Sequence, residues 1–242
     1  MQEKILFVII YIKMDFIVYH NNDKSDWNQD PDACTQIGIR KSSRGIITGG
    51  PSVGKTNLVF NLINLSSPAY QKIYIYRNRN SREYDDIIHE LITDIADMPK
   101  FDMEYKDKKI LILFEDLDTL KPHELDVIDH IMRYSCSHVG MSCLIICQSY
   151  YSVPAKLRRK LDVFHLFLHS ININHILMTV PLNKEEKIAI NNFVKKNKKS
   201  KHDFLSIDFT CENKFQFNLK PVDIYSRGEV SENKKKNILI KL

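Results

Sequence analysis

The run Ile46-Ile47-Thr48-Gly49-Gly50-Pro51-Ser52-Val53-Gly54-Lys55-Thr56 decides the fold, and Asn57-Leu58-Val59-Phe60-Asn61-Leu62-Ile63-Asn64-Leu65 continues it. Gly49, Gly54, Lys55 and Thr56 match the phosphate-binding pattern G-x-x-x-x-G-K-[ST]. A short β-branched apolar run precedes the glycines, and a helical pattern with Leu58, Phe60, Leu62 and Ile63 follows them. Strand, loop and helix in that order are the context the pattern requires. Glycines let successive backbone N–H groups turn inward around an anion. The helix N-terminus adds partial positive charge. Lys55 then reaches the β- and γ-phosphates, and Thr56 offers its hydroxyl to Mg2+. Gly49, Gly50, Pro51, Ser52, Val53, Gly54, Lys55, Thr56 and Asn57 form the expected nucleotide-binding set. The bland alternative is a glycine-rich turn that binds nothing, and the full pattern in this context outweighs it.

A hydrolytic site on such a loop needs an acidic residue at the tip of a nearby strand. Lys109-Ile110-Leu111-Ile112-Leu113-Phe114 reads as a strand buried inside a parallel sheet, and it runs into Glu115-Asp116-Leu117-Asp118. Glu115 is expected on the metal side with Thr56, and Asp116 as the catalytic carboxylate. The commoner order is Asp then Glu, so the pair is inverted, and Asp118 is a weaker candidate. The next buried strand, Cys143 to Cys147, ends at Gln148. A polar residue there can sense a γ-phosphate or orient water. Arg158 and Arg159 follow on a short basic helix from Pro154 to Lys160. An arginine near a subunit boundary can lend charge to a neighbour's transition state. A solvated basic helix is an equal reading of the same residues.

The rest of the chain supplies strands and helices around this centre. Lys72 to Tyr76 reads as a strand, with Arg77 and Arg79 at its C-terminal end, where ligands collect in open α/β sheets. Ser81 is placed to cap a helix from about Arg82 to Met98, with Ile87, Ile88, Leu91, Ile92 and Ile95 on one face and Pro99 ending it. Pro122 opens a helix through about Tyr134. Val163 to Leu168 reads as a strand, and Ile176 to Val180 as a further one. Asn183 with Glu186 forms a capping box that starts a helix through Val194. Leu205 to Phe209 and Phe215 to Leu219 read as a terminal strand pair.

The chain has 242 residues, enough for one large domain with a substantial core. A net charge of +5 permits a nucleic-acid partner without demonstrating one. The five cysteines, Cys34, Cys136, Cys143, Cys147 and Cys211, form no C-x-x-C pair, which points to reduced thiols. Cys136 and His138 lie close together, but no second ligand pair follows at zinc spacing. Ile5 to Ile12 is apolar yet too short to span a membrane, and it lacks a small-residue cleavage site. An apolar strand, or a strand pair with Phe16 to Tyr19, is the first reading, and a weak membrane anchor the minority one. No stable membrane span is expected. The division expected is residues 1–43, apolar strands and a polar loop; 44–225, the nucleotide-binding domain; and 226–242, a basic tail.

The ordered segments G-G-P-S-V-G-K-T, K-I-Y-I-Y-R, I-L-I-L-F-E-D-L and L-I-I-C-Q-S-Y-Y-S-V-P-A-K-L-R-R-K-L-D-V-F resemble the genome-packaging ATPases of poxviruses and other large DNA viruses. These belong to the FtsK-HerA superfamily of DNA-pumping motors. The most specific piece is Leu144 to Cys147 with Gln148-Ser149-Tyr150-Tyr151, Pro154 and Leu157-Arg158. His202-Asp203-Phe204-Leu205-Ser206-Ile207-Asp208 also resembles a C-terminal strand motif of the family. The similarity runs from about Arg44 to Pro221. It implies an α/β P-loop NTPase fold with a mainly parallel central sheet flanked by helices, of the additional-strand, RecA/FtsK-HerA-like kind. It implies ATP and Mg2+ as cofactors, Glu115 and Asp116 as the acidic pair, Gln148 as sensor and Arg158 as a finger reaching the next subunit. The family usually has Asp where Glu115 stands, so which acid serves the metal stays open, as does Arg158 against Arg159. It further implies double-stranded DNA as partner, a homo-oligomeric ring, capsid or virion-assembly proteins, and a place in the host cytoplasm at viral assembly sites or in the virion. Lys195 to Lys201 and Arg40, Lys41 and Arg44 are the candidate DNA contacts, set against a solvated surface.

Rival readings on the same loop are a nucleotide or nucleoside kinase, a nucleotide-binding structural virion protein without motor activity, and a loader of the helicase type. A kinase needs an acceptor pocket, a structural protein does not need turnover, and a loader needs a helicase partner.

Overall fold

Strands that read as unbroken apolar runs assemble into one sheet. The computed structural model describes residues 39, 42–66, 69–77, 84–85, 87–106, 108–115, 117, 120–210, 214–222 and 224. The expected N-terminal strands, Arg40, Lys41, Arg79, the cap at Ser81, Asp116, Asp118 and the tail lie outside the described residues. Among the described residues the strands are β1 (Arg44–Thr48), β2 (Lys72–Tyr76), β3 (Glu90–Ile92), β4 (Ile110–Glu115), β5 (Ser142–Cys147), β6 (Val163–Phe167), β7 (Phe204–Asp208), β8 (Phe215–Phe217) and β9 (Lys220–Pro221). Their order across the sheet is β3-β2-β4-β5-β1-β6-β7-β8-β9. From β3 to β6 every pairing is parallel, and β7, β8 and β9 add antiparallel strands at one edge. β5 lies between β1 and β4, so the strand entering the loop and the strand ending in acid are not neighbours. This is the additional strand that the resemblance implies.

Alternating residues of each central strand feed two separate cores, as the period of two demands. Ile47, Leu111, Leu113, Leu144 and Ile146 face α1 (Lys55–Leu65), which buries Leu58, Val59 and Leu62 against them. Ile46, Ile112, Phe114, Cys143 and Ile145 face the other way. That side is covered by α2 (Pro122–His130), a π-helical continuation (Ile131–Val139), α3 (Ala155–Arg158), α4 (Ile173–Thr179) and α5 (Lys184–Asn197). The Asn183 capping box forms as read: Asn183 Oδ1 accepts from the Glu186 N–H at 2.8 Å, and Glu186 Oε2 accepts from the Asn183 N–H at 2.9 Å.

Two expectations are corrected. The described part of the expected Arg82–Met98 helix is no α-helix. Glu90–Ile92 is a short parallel strand on β2, and Ile95–Asp97 is a 3₁₀ turn capped by Asp94, whose Oδ1 accepts from the Ala96 N–H at 2.9 Å. Ile92 and Ile95 are buried while Ile88 is 94% exposed, so the five residues do not share one buried face. The open edge of β2 offered backbone partners, and pairing there overrode the local 3.6-residue pattern. The expected strand at Ile176–Val180 is instead helical. Ile176 and Leu177 are buried while Met178 is exposed, and a short apolar run cannot by itself tell strand from helix.

His165 sits in β6 beside β1, buried, with Nδ1 2.7 Å from Ser206 Oγ on β7. Burial pushes its pKa down to about 4 from 6.5. The folded state thus resists protonation that the unfolded chain accepts. Stability from this source is intact above pH 6.5 and is lost as pH falls towards 4. We expect His165 to remove about 2 kcal/mol between pH 7 and pH 5. His165→Gln should flatten that part of a denaturant-derived stability profile. A variant slope equal to that of the parent would contradict the assignment.

Candidate functional site

The C-terminal ends of β1, β2, β4, β5 and β6 meet at one edge of the sheet, and the sequence-predicted residues gather there. β1 runs directly into the loop. The Gly49 N–H donates to the Cys147 carbonyl at 3.3 Å, extending the β1–β5 pairing by one residue. The chain then turns through left-handed Ser52 (φ 56°) and Gly54 (φ 104°). A Cβ on Gly49 would stand 2.6 Å from Phe167 Cβ, so only glycine fits where the loop crosses β6. Gly54 precedes α1 and supplies no side-chain cap. The N-terminus of α1, with its partial positive charge, therefore faces the loop without a capping side chain of Gly54 in between. Lys55 Nζ donates to the carbonyls of Gly49 (2.8 Å) and Gly50 (2.7 Å), so its ammonium is folded over the loop. Thr48 Oγ1 at the loop's entry and Asn57 Oδ1 in the first helical turn are buried without a hydrogen-bond partner among the described residues.

Two distant segments brace the loop, and local sequence reading missed both. Ser170 Oγ, beyond β6, accepts from the Gly50 N–H at 2.5 Å. His202, just before β7, has Nδ1 2.8 Å from the Val53 carbonyl. A carbonyl only accepts, so Nδ1 carries the proton. The turn holding His202 is itself fixed by buried Asp203, whose Oδ2 accepts from the N–H groups of Lys199 (2.7 Å) and Ser200 (2.6 Å). Burial pushes the Asp203 pKa up, and hydrogen bonds from the Ser200 amide, Asn218 and the Lys199 amide outweigh it, leaving the carboxyl below its usual range. Because β7 runs antiparallel to β6, this arrangement brings the end of the exposed Lys195–Lys201 run to the loop's edge of the sheet. His202 lay in a motif already noted from the sequence; Ser170 carried no local signal.

Glu115 ends β4 and lies level with Ile146 of β5. Gln148 follows the last residue of β5 and is exposed, one residue beyond the Thr48↔Cys147 pair. Loop, Glu115 and Gln148 therefore occupy the tips of β1, β4 and β5. Asp116 lies outside the described residues. Thr56 hydroxyl and Glu115 carboxylate are hard oxygen donors, the type that Mg2+ takes alongside phosphate oxygens and water. Among the described residues there is no cluster of three or more His, Cys, Asp or Glu able to hold a metal without such additions.

Arg158 lies on α3, after a 3₁₀ turn at Tyr150–Ser152. Its guanidinium carbon stands 5.0 Å from the Tyr150 ring centroid and 4.8 Å from that of Tyr151. Arg159 is exposed. α3 is tied to α2 by Asp129, a buried carboxylate that meets Lys160 at 2.5 Å and Lys156 at 3.3 Å. Burial raises the Asp129 pKa, but hydrogen bonds from Lys160 and Lys156 outweigh that and leave it lowered. Arg44, expected in a DNA-facing cluster, spends its guanidinium on Asp162 through Nε at 2.7 Å and a second nitrogen at 2.9 Å. It begins β1, at the opposite end of that strand from the loop.

No protein-family model matches the sequence, and no curated protein matches it. Solved structures do. The DNA-packaging ATPase B204 from Sulfolobus turreted icosahedral virus matches with a TM-score of 0.51 at 14% identity, over 75% of this chain and 98% of that one. The genome-packaging NTPase B204 from Sulfolobus turreted icosahedral virus 2 in complex with sulfate gives 0.51 at 14% identity, over 80% and 98%. The same protein in complex with AMPPCP gives 0.50 at 14%, over 75% and 99%. At such identity the likeness is one of fold. With β5 inserted between β1 and β4 and the loop leading into α1, the chain has the α/β fold of a P-loop NTPase.

Proposed function

We propose that the chain is a Mg2+-dependent ATPase that works in an oligomeric ring and drives double-stranded DNA into a viral capsid. One observation carries the hydrolytic part: the glycine loop with Lys55, the carboxylate of Glu115 and the amide of Gln148 stand on the tips of three adjoining strands. Gly49 to Asn57 would hold the phosphates, with Lys55 on the β- and γ-phosphates. Thr56 and Glu115 would hold Mg2+, and Asp116 would polarise the attacking water. Gln148 would orient that water. The packaging part is supported by the named activities of the matched structures and by the motifs around Gln148 and Arg158. The poxvirus-like branch is its finer form and is carried by the sequence motifs alone. Among the described residues no helix is long and apolar enough to cross a membrane. Action at viral assembly sites in the host cytoplasm, with capsid proteins as partners, belongs to the same proposal.

DNA contact in such a motor is to the phosphate backbone, and it weakens steeply with salt. Lys195 to Lys201 are the basic residues offered to it, and Arg44 is withdrawn in favour of its bond to Asp162. The test is ATP hydrolysis with and without long double-stranded DNA at two salt concentrations, alongside the oligomer mass in nucleotide. Stimulation that fades at the higher salt, in an oligomer, is the expected result. A monomer with no stimulation at either salt would overturn packaging, and phosphorylation of a nucleoside would replace it with the kinase reading.

A further inference from the structure

We infer that Tyr84 is the positioning residue for the Glu115 carboxylate, an inference that rests on the hydrolytic reading above. Tyr84 is fully buried, and its hydroxyl donates to Glu115 Oε1 at 2.5 Å. The phenol is held from two sides. Phe60 of α1 packs against it with ring centroids 6.0 Å apart, and the guanidinium of Arg77 stands 6.0 Å from its ring centroid. Arg77 follows β2, is 4% exposed, and donates its backbone N–H to Ile92 on β3 at 3.1 Å. Tyr76 pairs with Phe114, so Arg77 and Glu115 are the next residues on adjoining strands.

This placement has a chemical consequence. An unrestrained glutamate side chain samples several rotamers, and its two oxygens exchange roles. With Oε1 engaged by the phenol, the rotation of the carboxylate is restricted, and it enters the reaction already oriented. A phenol that donates to a carboxylate makes a hydrogen bond of the charge-assisted kind. A glutamate side chain turns about three bonds, and that rotamer freedom is what the phenol removes. Tyr84 touches no substrate in this scheme. It acts through Glu115.

Tyr84→Phe deletes one oxygen and keeps the ring. The expected result is a fall of about tenfold in kcat with KM and the affinity for a fluorescent ATP analogue within about twofold, and with Tm nearly unchanged. The second arm is a double-mutant cycle. If the hydroxyl acts through the carboxylate, Tyr84→Phe should add little to the loss already caused by Glu115→Gln. Unchanged kcat in Tyr84→Phe, or full additivity with Glu115→Gln, overturns the inference while leaving ATPase function standing. Absence of hydrolysis in the parent protein overturns the hydrolytic reading itself, and the inference with it.

Discussion

Lys55→Ala is expected to lower the rate of ATP turnover by at least a factor on the order of 10²–10³, the scale set by removing one preorganised donor from a developing negative charge. The geometry accounts for the size. Lys55 opens α1, and its ammonium already lies over the loop, bound to the Gly49 and Gly50 carbonyls. A γ-phosphate in the cradle would meet a cation that needs little reorganisation. Alanine keeps the helix, since it has the highest helix propensity, so the loss should be chemical and not structural. The check is steady-state hydrolysis beside a thermal melt. A melt within a few degrees of the parent with turnover nearly gone fits the site. Turnover within threefold of the parent would show that the loop does not hold the reacting phosphate. The same variant separates a motor from a structural virion protein, because a structural role should survive it.

The parts of the site that were legible in the sequence are those written in short range. Gly49 to Thr56 is a local pattern, and unbroken apolar runs such as Ile110–Phe114 and Cys143–Cys147 declare strands covered on both faces. The strand tips then follow, because Glu115 and Gln148 are simply where those runs stop. Contacts that join residues far apart were not legible. Ser170 reaches Gly50 and His202 reaches Val53 across more than a hundred positions, and neither partner carries a periodic or compositional mark. Tyr84 was hidden for a different reason. Ile87, Ile88, Leu91, Ile92 and Ile95 repeat at helical spacing, which places Tyr84 inside an expected helix and gives it no separate mark. The free edge of β2 drew part of that segment into β3 instead. Ile92 and Ile95 are buried and Ile88 is exposed, so the helical spacing did not correspond to a single buried face. Arg158 and Arg159 were equivalent as sequence. The fold separates them, since Arg158 is packed against two tyrosines and Arg159 is exposed.

Arg158→Ala is expected to reduce turnover by a factor on the order of 10³, the lower end of what a trans-acting arginine contributes, while ATP still binds. The residue has the makings of such a finger. Tyr150 and Tyr151 hold its guanidinium from the ring side, and its Nε is buried without a hydrogen-bond partner among the described residues. Tyr150 is anchored in turn by a 3.0 Å hydrogen bond between its hydroxyl and Thr179, and Tyr151 donates to the His175 carbonyl at 2.7 Å. A side chain so held pays little entropy when a neighbour's phosphate arrives. A single substitution cannot tell a finger acting on its own loop from one acting on the next subunit's loop, but a mixture can. Arg158→Ala keeps Lys55, and Lys55→Ala keeps Arg158. Mixed into one ring, an intact loop on one subunit meets an intact arginine on its neighbour, and part of the turnover should return. Recovery that rises and falls with the mixing ratio is the expected outcome. Two inactive variants that stay inactive at every ratio, in rings shown to exchange subunits, would return the arginine to its own chain and make the site complete within one subunit.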